Sequence, residues 1–259
     1  MTLHWDDPIF VNNAFIIVFD YKKEIRRCAN QIEDILKKYM DSYSTDAGYN
    51  VPIITPIPDE MEPTTPRLIF NSLHGFSQII FNQKEAILNV RYSDDYLTVD
   101  AMEQRKNYLS ERIRVLHNIL EEIKCKALFS GVVTRILILT PDEEEKLRVF
   151  LQSFIVEKYR IDSTYEYTFR EAGVLEGKFF NIFQIGLYRE MLDGENPFVV
   201  PRIPASNSIK RGIEIIHDIN DRHSYNENAN YFTTLEASEN MLDRTEHIIQ
   251  QFFNRFRKD

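Results

Sequence analysis

The chain has 259 residues, of which 43% are hydrophobic and 27% are charged, and these fractions are ordinary for a globular protein. The formal net charge is -9, and acidic residues outnumber basic ones on both sides of Cys125. A non-specific electrostatic hold on nucleic acid depends on basic side chains that neutralise phosphates, so it is disfavoured. No apolar run approaches the ~20 residues that span a bilayer, and the first ten residues are acidic where a secretory signal would be basic. We therefore expect no export by that route and no membrane span.

Two cysteines occur, Cys28 and Cys125, and both fall within or at the end of predicted helices. Two thiols cannot form a disulfide framework or a four-thiolate zinc site. We interpret each as a small buried hydrophobe. The sequence thus predicts a protein of the reducing cytoplasm.

The first half of the chain predicts a strand, a helix, three further strands and a closing helix. Residues 14–19 are consecutive apolar residues, which is typical of a strand covered on both faces. The next segment carries apolar residues at spacings of three and four, which places them on one stripe of a helix. The predicted strands are 14–19, 68–70, 78–81 and 86–92, and the predicted helices are 22–40 and 108–124.

A long connection, residues 41–66, interrupts this half and holds five of the ten prolines. Proline sustains neither a helix nor a central strand, and loops of this length are often functional or mobile. We expect an extended segment that packs along the surface through its apolar side chains, which are Val51, Ile53, Ile54 and Ile57.

The second half repeats the order, beginning with an apolar strand at residues 128–139. Thr140 and Glu143 have the spacing of a capping box, which predicts a helix start. Thr233 and Glu236 have the same spacing before the last helix. The predicted inner face of that helix consists of Met241, Ile248, Phe252 and Phe256. Strands are predicted where Tyr165, Tyr167 and Phe169 alternate with polar residues, at 178–191 and at 212–219, with a second Pro-rich loop at 193–209.

Each half therefore orders itself as β-α-β-β-β-α, and we predict two similar units, 1–125 and 126–259, in an α+β protein. Strands consecutive in sequence usually pair as antiparallel neighbours, and helices segregate to one face of such a sheet. The order resembles the duplicated TATA-binding-protein-like and helix-grip folds. A likeness of topology implies nothing about activity.

Three stretches carry a second resemblance: PRLIFNSLHGFSQIIFNQKEAILNVRYSDDY in the first half, and GIEIIHDIND and ENMLDRTEHIIQQFFNRF in the second. Together they resemble a sporadically distributed, uncharacterised bacterial family of cytosolic proteins of this length. The resemblance implies a bacterial protein carried on mobile or defence-related gene clusters. It brings no catalytic residue.

Two groups of polar residues could support metal-dependent hydrolysis or nuclease chemistry. His217, Asp218, Asp221 and His223 lie within seven residues and are suitable metal ligands. On a strand, however, His217 and Asp218 point to opposite faces, so a buried, hydrogen-bonded histidine is the simpler interpretation. Asp20, Asp94 and Asp95 follow predicted strands, where catalytic carboxylates and ordinary turn residues both occur. A third cluster, His4 to Asp7, is explained more simply by an N-terminal cap in which Trp5 packs on the sheet.

No phosphate-binding glycine loop and no serine-nucleophile motif occurs, so the sequence predicts no cofactor and no metal. Polar residues on two predicted strands could instead form a binding surface if no helix covers them. These residues are Asn89, Arg91, Glu166, Thr168 and Arg170.

From these observations we predict a non-enzymatic interaction, regulatory or accessory protein that engages a protein partner. A homodimer is a further expectation, because a sheet with free edges must have them blocked or paired. Two alternatives stay open. One is a metal-dependent hydrolase or nuclease that uses Asp20, Asp94, His217 and Asp218, and the other is nucleic-acid binding on the sheet face.

Overall fold

The computed structural model describes residues 3–40, 48–92, 97–155, 157, 160, 166–191 and 208–256. Its strands are β1 Ile9–Phe19, β2 Ile53–Ile54, β3 Leu68–Asn71, β4 Ser77–Phe81, β5 Glu85–Arg91, β6 Ala127–Leu139, β7 Thr168–Leu175, β8 Phe179–Met191 and β9 Ser208–Asn220. Its helices are α1 Ala29–Met40, α2 Met102–Glu122, α3 Glu144–Gln152, α4 Arg222–Glu227 and α5 Leu235–Phe256. Short 3₁₀ turns precede α1 and α2, at Ile25–Cys28 and Val99–Ala101.

All nine strands form one antiparallel sheet in the order β2-β3-β4-β5-β1-β6-β9-β8-β7. Strands of the first half occupy one side of the β1 and β6 pair, and strands of the second half occupy the other. The α+β class with an antiparallel sheet is confirmed. The duplication of one unit, with its boundary after Cys125, stays a prediction.

Alternate side chains of the central strands face the helix layer and form the core. In β1 these are Phe15, Ile17 and Phe19, which are almost fully buried. They lie in a cluster with residues of α1, α2 and the first-half strands, and also with Met241 of α5. A second cluster joins α3 and the far end of α5 to β6, β8 and β9, including Ile213 of β9. Helices α1, α2, α3 and α5 therefore cover one face of the sheet.

Helices α2 and α5 run antiparallel above the two central strands and join the halves of the chain. Lys106 pairs with Asp243 at 2.6 Å, and Arg114 pairs with Glu239 at 2.9 Å. Exposed pairs of this kind contribute little to stability. The apolar contacts beneath them, which lie in the core clusters, make the larger contribution.

None of the helices in the described ranges is both long and apolar enough to cross a membrane.

The predicted capping box at Thr140 is wrong. Helix α3 begins at Glu144, and the Thr140 hydroxyl donates to the carbonyl oxygen of His4 and accepts the amide hydrogen of Asp142 at 3.1 Å. The hydroxyl thus bonds both the N-terminal segment and the turn before α3, and it does not cap the helix. Trp5 makes an edge-to-face contact with Phe150 of α3, at 5.3 Å between ring centroids, so it packs on this helix.

The start and the inner face of α5 are each displaced by one residue from the prediction. Thr234, and not Thr233, accepts the amide hydrogen of Ala237 at the helix start. Thr233 points inward and bonds the hydroxyl of Ser130. On the inner face Met241 is buried as predicted, but Leu242, Ile249 and Phe253 are the other buried apolar residues.

The Pro-rich connection is held by polar groups, and the predicted apolar anchoring is wrong for three of its four side chains, since only Ile57 is half-buried. Val51, Ile53 and Ile54 are 74%, 55% and 50% exposed. The guanidinium of Arg67 is instead fully buried and donates to four main-chain carbonyl oxygens and to Gln83 Oε1. The carbonyls belong to Pro58, Met61, Glu62 and Thr65, at 3.1 to 3.4 Å.

Candidate functional site

The sheet face opposite the helix layer is not covered by α1, α2, α3 or α5, and it is called the open face below. Its side chains alternate with the buried ones, and along β1 they are Ala14, Ile16 and Val18, each half-buried. Only α4 reaches this face among the described elements. Tyr225 of α4 contacts Phe129 and His223 contacts Phe180, at one end of the central strands.

Four of the five residues predicted to form a binding surface lie on the open face. Asn89 and Arg91 stand opposite Ala14 and Asn12 across the β5 and β1 pair. Thr168 and Arg170 lie on the edge strand β7, and Glu166 is exposed just before it. The two groups are five strands apart, which is about 24 Å at ordinary strand spacing. They therefore mark opposite sides of one broad face.

The strands between these two groups carry apolar side chains on the open face. The register pairs Ile87 with Ile16, and Ala14 with Val133. One strand further, Val133 stands opposite Asp218, and Asp218 stands opposite Ile182. All of these side chains are half-buried. The middle of the face is thus largely apolar, and one carboxylate interrupts it.

A row of residues that are polar apart from Ile216 crosses the strands beside this apolar area, and it is called the arginine row below. Each member stands opposite the next in the strand register. Its members are Arg91 of β5, Asn12 of β1, Arg135 of β6, Ile216 of β9, Gln184 of β8 and Arg170 of β7. Arg135 donates from Nε to Glu214. Arg91 and Arg170 are exposed, and no described acidic side chain forms an ion pair with either.

The sequence pointed to His217 as a buried, hydrogen-bonded histidine, and it lies on the helix side of β9 with no exposed surface. Its Nε2 bonds Oδ1 of Asn181 at 2.7 Å. Burial lowers the pKa of His217 to about 4. Asp218 points to the open face and accepts from Asn220 Nδ2 at 3.0 Å. The two residues therefore share no site.

The remaining residues suspected of catalysis are also dispersed. Asp20 is exposed at the end of β1 and accepts the amide hydrogen of Lys126 at 2.6 Å. Asp94 and Asp95 lie outside the described residues. Within the described ranges, no three His, Cys, Asp or Glu side chains come together as a group that could hold a metal ion.

A buried polar network between β6, α2 and α5 was missed by the sequence reasoning. His117 Nε2 lies 3.0 Å from Ser238 Oγ, which lies 3.1 Å from Ser130 Oγ. Asp221 accepts from the Ser130 amide at 2.6 Å and from the Tyr231 hydroxyl at 2.7 Å. The residues of this network are far apart in sequence, and the sequence does not indicate when a short polar residue in a helix or loop is buried.

The hydrogen bonds among His117, Ser238 and Ser130 resemble those between a catalytic nucleophile and its base. The burial of these groups indicates a structural role instead. Ser130, Ser238 and Asp221 have 1% or less of their surface exposed, so a substrate cannot reach the hydroxyls. Burial raises the pKa of Asp221 and lowers the pKa of His117 to about 4, which makes the imidazole a poor base at neutral pH. The network fastens the segment between β9 and α5 to the sheet.

A cleft of about 420 Å³ lies outside this network, between the β7 and β8 turn, α4 and the start of α5. Exposed side chains of both charges line it, including Lys178, Glu227 and Glu236. Tyr231 also lines the cleft, and its hydroxyl donates to Asp221 at 2.7 Å. Because side chains of both charges line the cleft, the lining does not indicate one class of ligand.

Comparisons with known proteins give little for this chain. No protein-family model matches it, and a search of curated proteins gave no match. One solved structure with similarity is the duplicated taurocyamine kinase from Schistosoma mansoni with bound transition state analog components, at 11% identity and a TM-score of 0.31. The alignment covers 93% of this chain and 32% of that chain, so this chain spans about a third of its length. Similarity of this degree supports no conclusion about fold or function.

Proposed function

We propose that the protein is a non-enzymatic interaction protein, of a regulatory or accessory kind, that binds another protein through the open face. The observation that carries the proposal is the run of half-buried apolar side chains across the central strands, Ile87, Ile16, Val133 and Ile182, with polar residues around it. A sheet normally buries both faces or presents a polar outer face. A broad apolar area rimmed by polar side chains is typical of a protein interaction site.

The polar groups of the described chain support a binding role better than a catalytic one. The His117 and Ser130 network is enclosed, and His217 is buried in the helix-side core. Asp20 and Asp218 each bond a neighbouring group at separate places. An acid, a base and a nucleophile do not converge at any accessible point among these candidates. Bacterial origin, cytoplasmic location and a link to defence or mobile elements stay predictions.

A second copy of the chain is one candidate partner, through the edge strand β7. Within the described residues β7 pairs only with β8, and six of its eight residues are exposed. The opposite edge strand, β2, has two residues and is followed closely by Pro56. Proline blunts a sheet edge, whereas β7 contains none, so β7 is the edge that can pair. Light scattering after size exclusion gives the oligomeric state that tests this.

Site-specific photocrosslinking tests the proposed function. The photoreactive amino acid p-benzoylphenylalanine replaces Val133 on the open face or, as a matched control, Val149 on α3, which is 43% exposed on the helix layer. Irradiation in cells of the source organism, followed by mass spectrometry, identifies adducts. We expect protein adducts from position 133 and none of the same adducts from position 149. Equal adducts from both positions, or none from position 133, would overturn the proposal.

A further inference from the structure

The arginine row places three guanidinium groups on the open face of a chain whose net charge is negative, beside the carboxylates of Glu214 and Asp218. The chain has a formal net charge of -9. In the row, Arg91 and Arg170 are exposed and without an acidic partner among the described residues, and Arg135 uses only Nε for Glu214. The terminal nitrogens of three guanidinium groups are thus available on one line. Guanidinium groups bind carboxylates in a bidentate geometry.

The spacing of the row defines the size of what could bind to it. Arg91 and Arg135 are two strands apart, and Arg135 and Arg170 are three strands apart. At ordinary strand spacing the row is about 24 Å long. An α-helix of about 16 residues has this length. The apolar area lies one step along the strands from the row, on the side of Ala14, Val133 and Ile182.

Resting on the proposed function, we infer that the partner presents an acidic amphipathic helix, which lies across the strands of the open face. Its apolar stripe covers the area around Ile16 and Val133, and its carboxylates face Arg91, Arg135 and Arg170. The helix supplies the second layer that an apolar sheet face requires. Recognition of this type places an amphipathic helix against an apolar surface and uses charges to fix its orientation.

The same row is less suited to a nucleic acid. Glu214 and Asp218 lie beside it on the open face. A nucleic-acid backbone is charged along its whole length and would also face these two carboxylates, whereas a helix can place its own carboxylates over the arginines and its apolar side chains over the area beside Asp218. Of the aromatic side chains of the face, Phe129 and Phe180 are in contact with α4 and are not free for base stacking, and the third, Tyr188 of β8, is half-buried.

Binding of defined probes by fluorescence anisotropy tests the inference on the full chain. The probe is a labelled, helix-forming 18-residue peptide with leucine on one face and glutamate on the other. Comparison probes carry glutamine or lysine in place of every glutamate, and a single-stranded oligothymidylate is the nucleic-acid probe. The protein variants are Arg91→Glu with Arg170→Glu and, as a control of equal charge change on the helix layer, Arg27→Glu with Lys38→Glu.

We expect the glutamate peptide to bind most tightly, and its Kd to rise about tenfold or more in the open-face double variant. The control double variant should change Kd by less than about twofold, and added salt should weaken the wild-type complex. Tighter binding of oligothymidylate, or equal binding of the glutamine peptide, overturns the inference. Crosslinking from position 133 tests only whether a protein binds the open face, whereas the peptide probes test whether the partner is an acidic helix. The first experiment can therefore succeed when the second fails.

Discussion

The Nε2 atom of His217 lies 2.7 Å from Oδ1 of Asn181 on the neighbouring strand, and both residues are in the helix-side part of the sheet. An amide oxygen only accepts, so Nε2 carries the hydrogen and the neutral ring has a bare Nδ1. That Nδ1 atom is buried and has no hydrogen-bond partner. The imidazole is therefore held neutral by its surroundings.

This arrangement makes folding depend on pH between about 4 and 6.5. The pKa of His217 is lowered to about 4 by burial, whereas an unfolded histidine has a pKa of 6.5. In this window the unfolded state binds more protons than the folded state. The contribution of His217 to the free energy of unfolding is therefore fully present above pH 6.5 and is lost as the pH falls towards 4. His217 alone should cost about 2 kcal/mol at pH 5 relative to pH 7.

The variant His217→Phe should lose this share of the pH dependence. It should be less stable at pH 7, because Asn181 loses its donor, but its loss between pH 7 and pH 5 should be about 2 kcal/mol smaller. Urea unfolding at the two pH values measures both effects. His117, whose pKa is also lowered to about 4, remains in the variant and keeps part of the slope. If both proteins lost the same free energy of unfolding between pH 7 and pH 5, the pKa of His217 would not be lowered in the folded state.

Glu246 on α5 should act in the opposite direction. Burial raises its pKa to about 7, while Lys106 and Arg105 lower it and Asp243 raises it further. A carboxyl with a raised folded pKa contributes stability that is full below about 4.5 and is lost as the pH rises to 7. Glu246→Gln should therefore stabilise the fold at pH 8, by up to about 2 kcal/mol after solvent screening, and not at pH 4. Equal effects at both pH values would contradict this.

Gly212 should tolerate no side chain. A Cβ at this position on β9 would overlap the carbonyl oxygen of Ile138 and would lie 2.8 Å from Leu139 Cα. We expect Gly212→Ala to reduce the free energy of unfolding by about 1–3 kcal/mol or more, since backbone cannot move aside cheaply in a central strand. Gly173→Ala on β7 is the control, because nothing lies within 4 Å of its Cβ position. Thermal unfolding of the two variants gives the comparison.

Arg67 should be essential to the Pro-rich connection. Arg67→Met keeps most of the apolar stem but leaves several carbonyl acceptors and Gln83 without their donor. Each unsatisfied buried group costs about 1–3 kcal/mol, so we expect a loss of about 3 kcal/mol in total after relaxation. Limited proteolysis should cut residues 55–66 faster. Arg27→Met, at an exposed arginine, should change neither quantity.

Alternation and stripe patterns predicted most of the regular structure. The strand at 128–139 and those at 68–70, 78–81 and 86–92 agree with β6 and β3 to β5 within one or two residues. Helix ends were less well predicted, because Thr140 and Thr233 both find partners from distant segments. Groups that the tertiary structure brings near compete with the helix amides for a capping side chain, and the sequence pattern alone does not reveal that competition.

The predicted binding surface was identified in part. Asn89, Arg91, Thr168 and Arg170 do lie on one face, as the period of two requires. Arg135, Asn12, Gln184 and Ile216 complete the arginine row, and no local pattern joins them to Arg91. The paired register of six strands places them on one line, and that register includes the pairing of β1 with β6, whose residues are more than a hundred positions apart.

By itself, the sequence determined most of the strands and helices, although not β2 or α4, and it determined which side chains of each predicted strand share a face, because these follow from the local period of the backbone. Only the tertiary structure decided which strands are neighbours, which face the helices cover and which polar groups meet. Those outcomes depend on long-range packing and on the satisfaction of buried hydrogen bonds, so the arginine row, the Arg67 anchor and the Ser130 network became visible only in the folded chain.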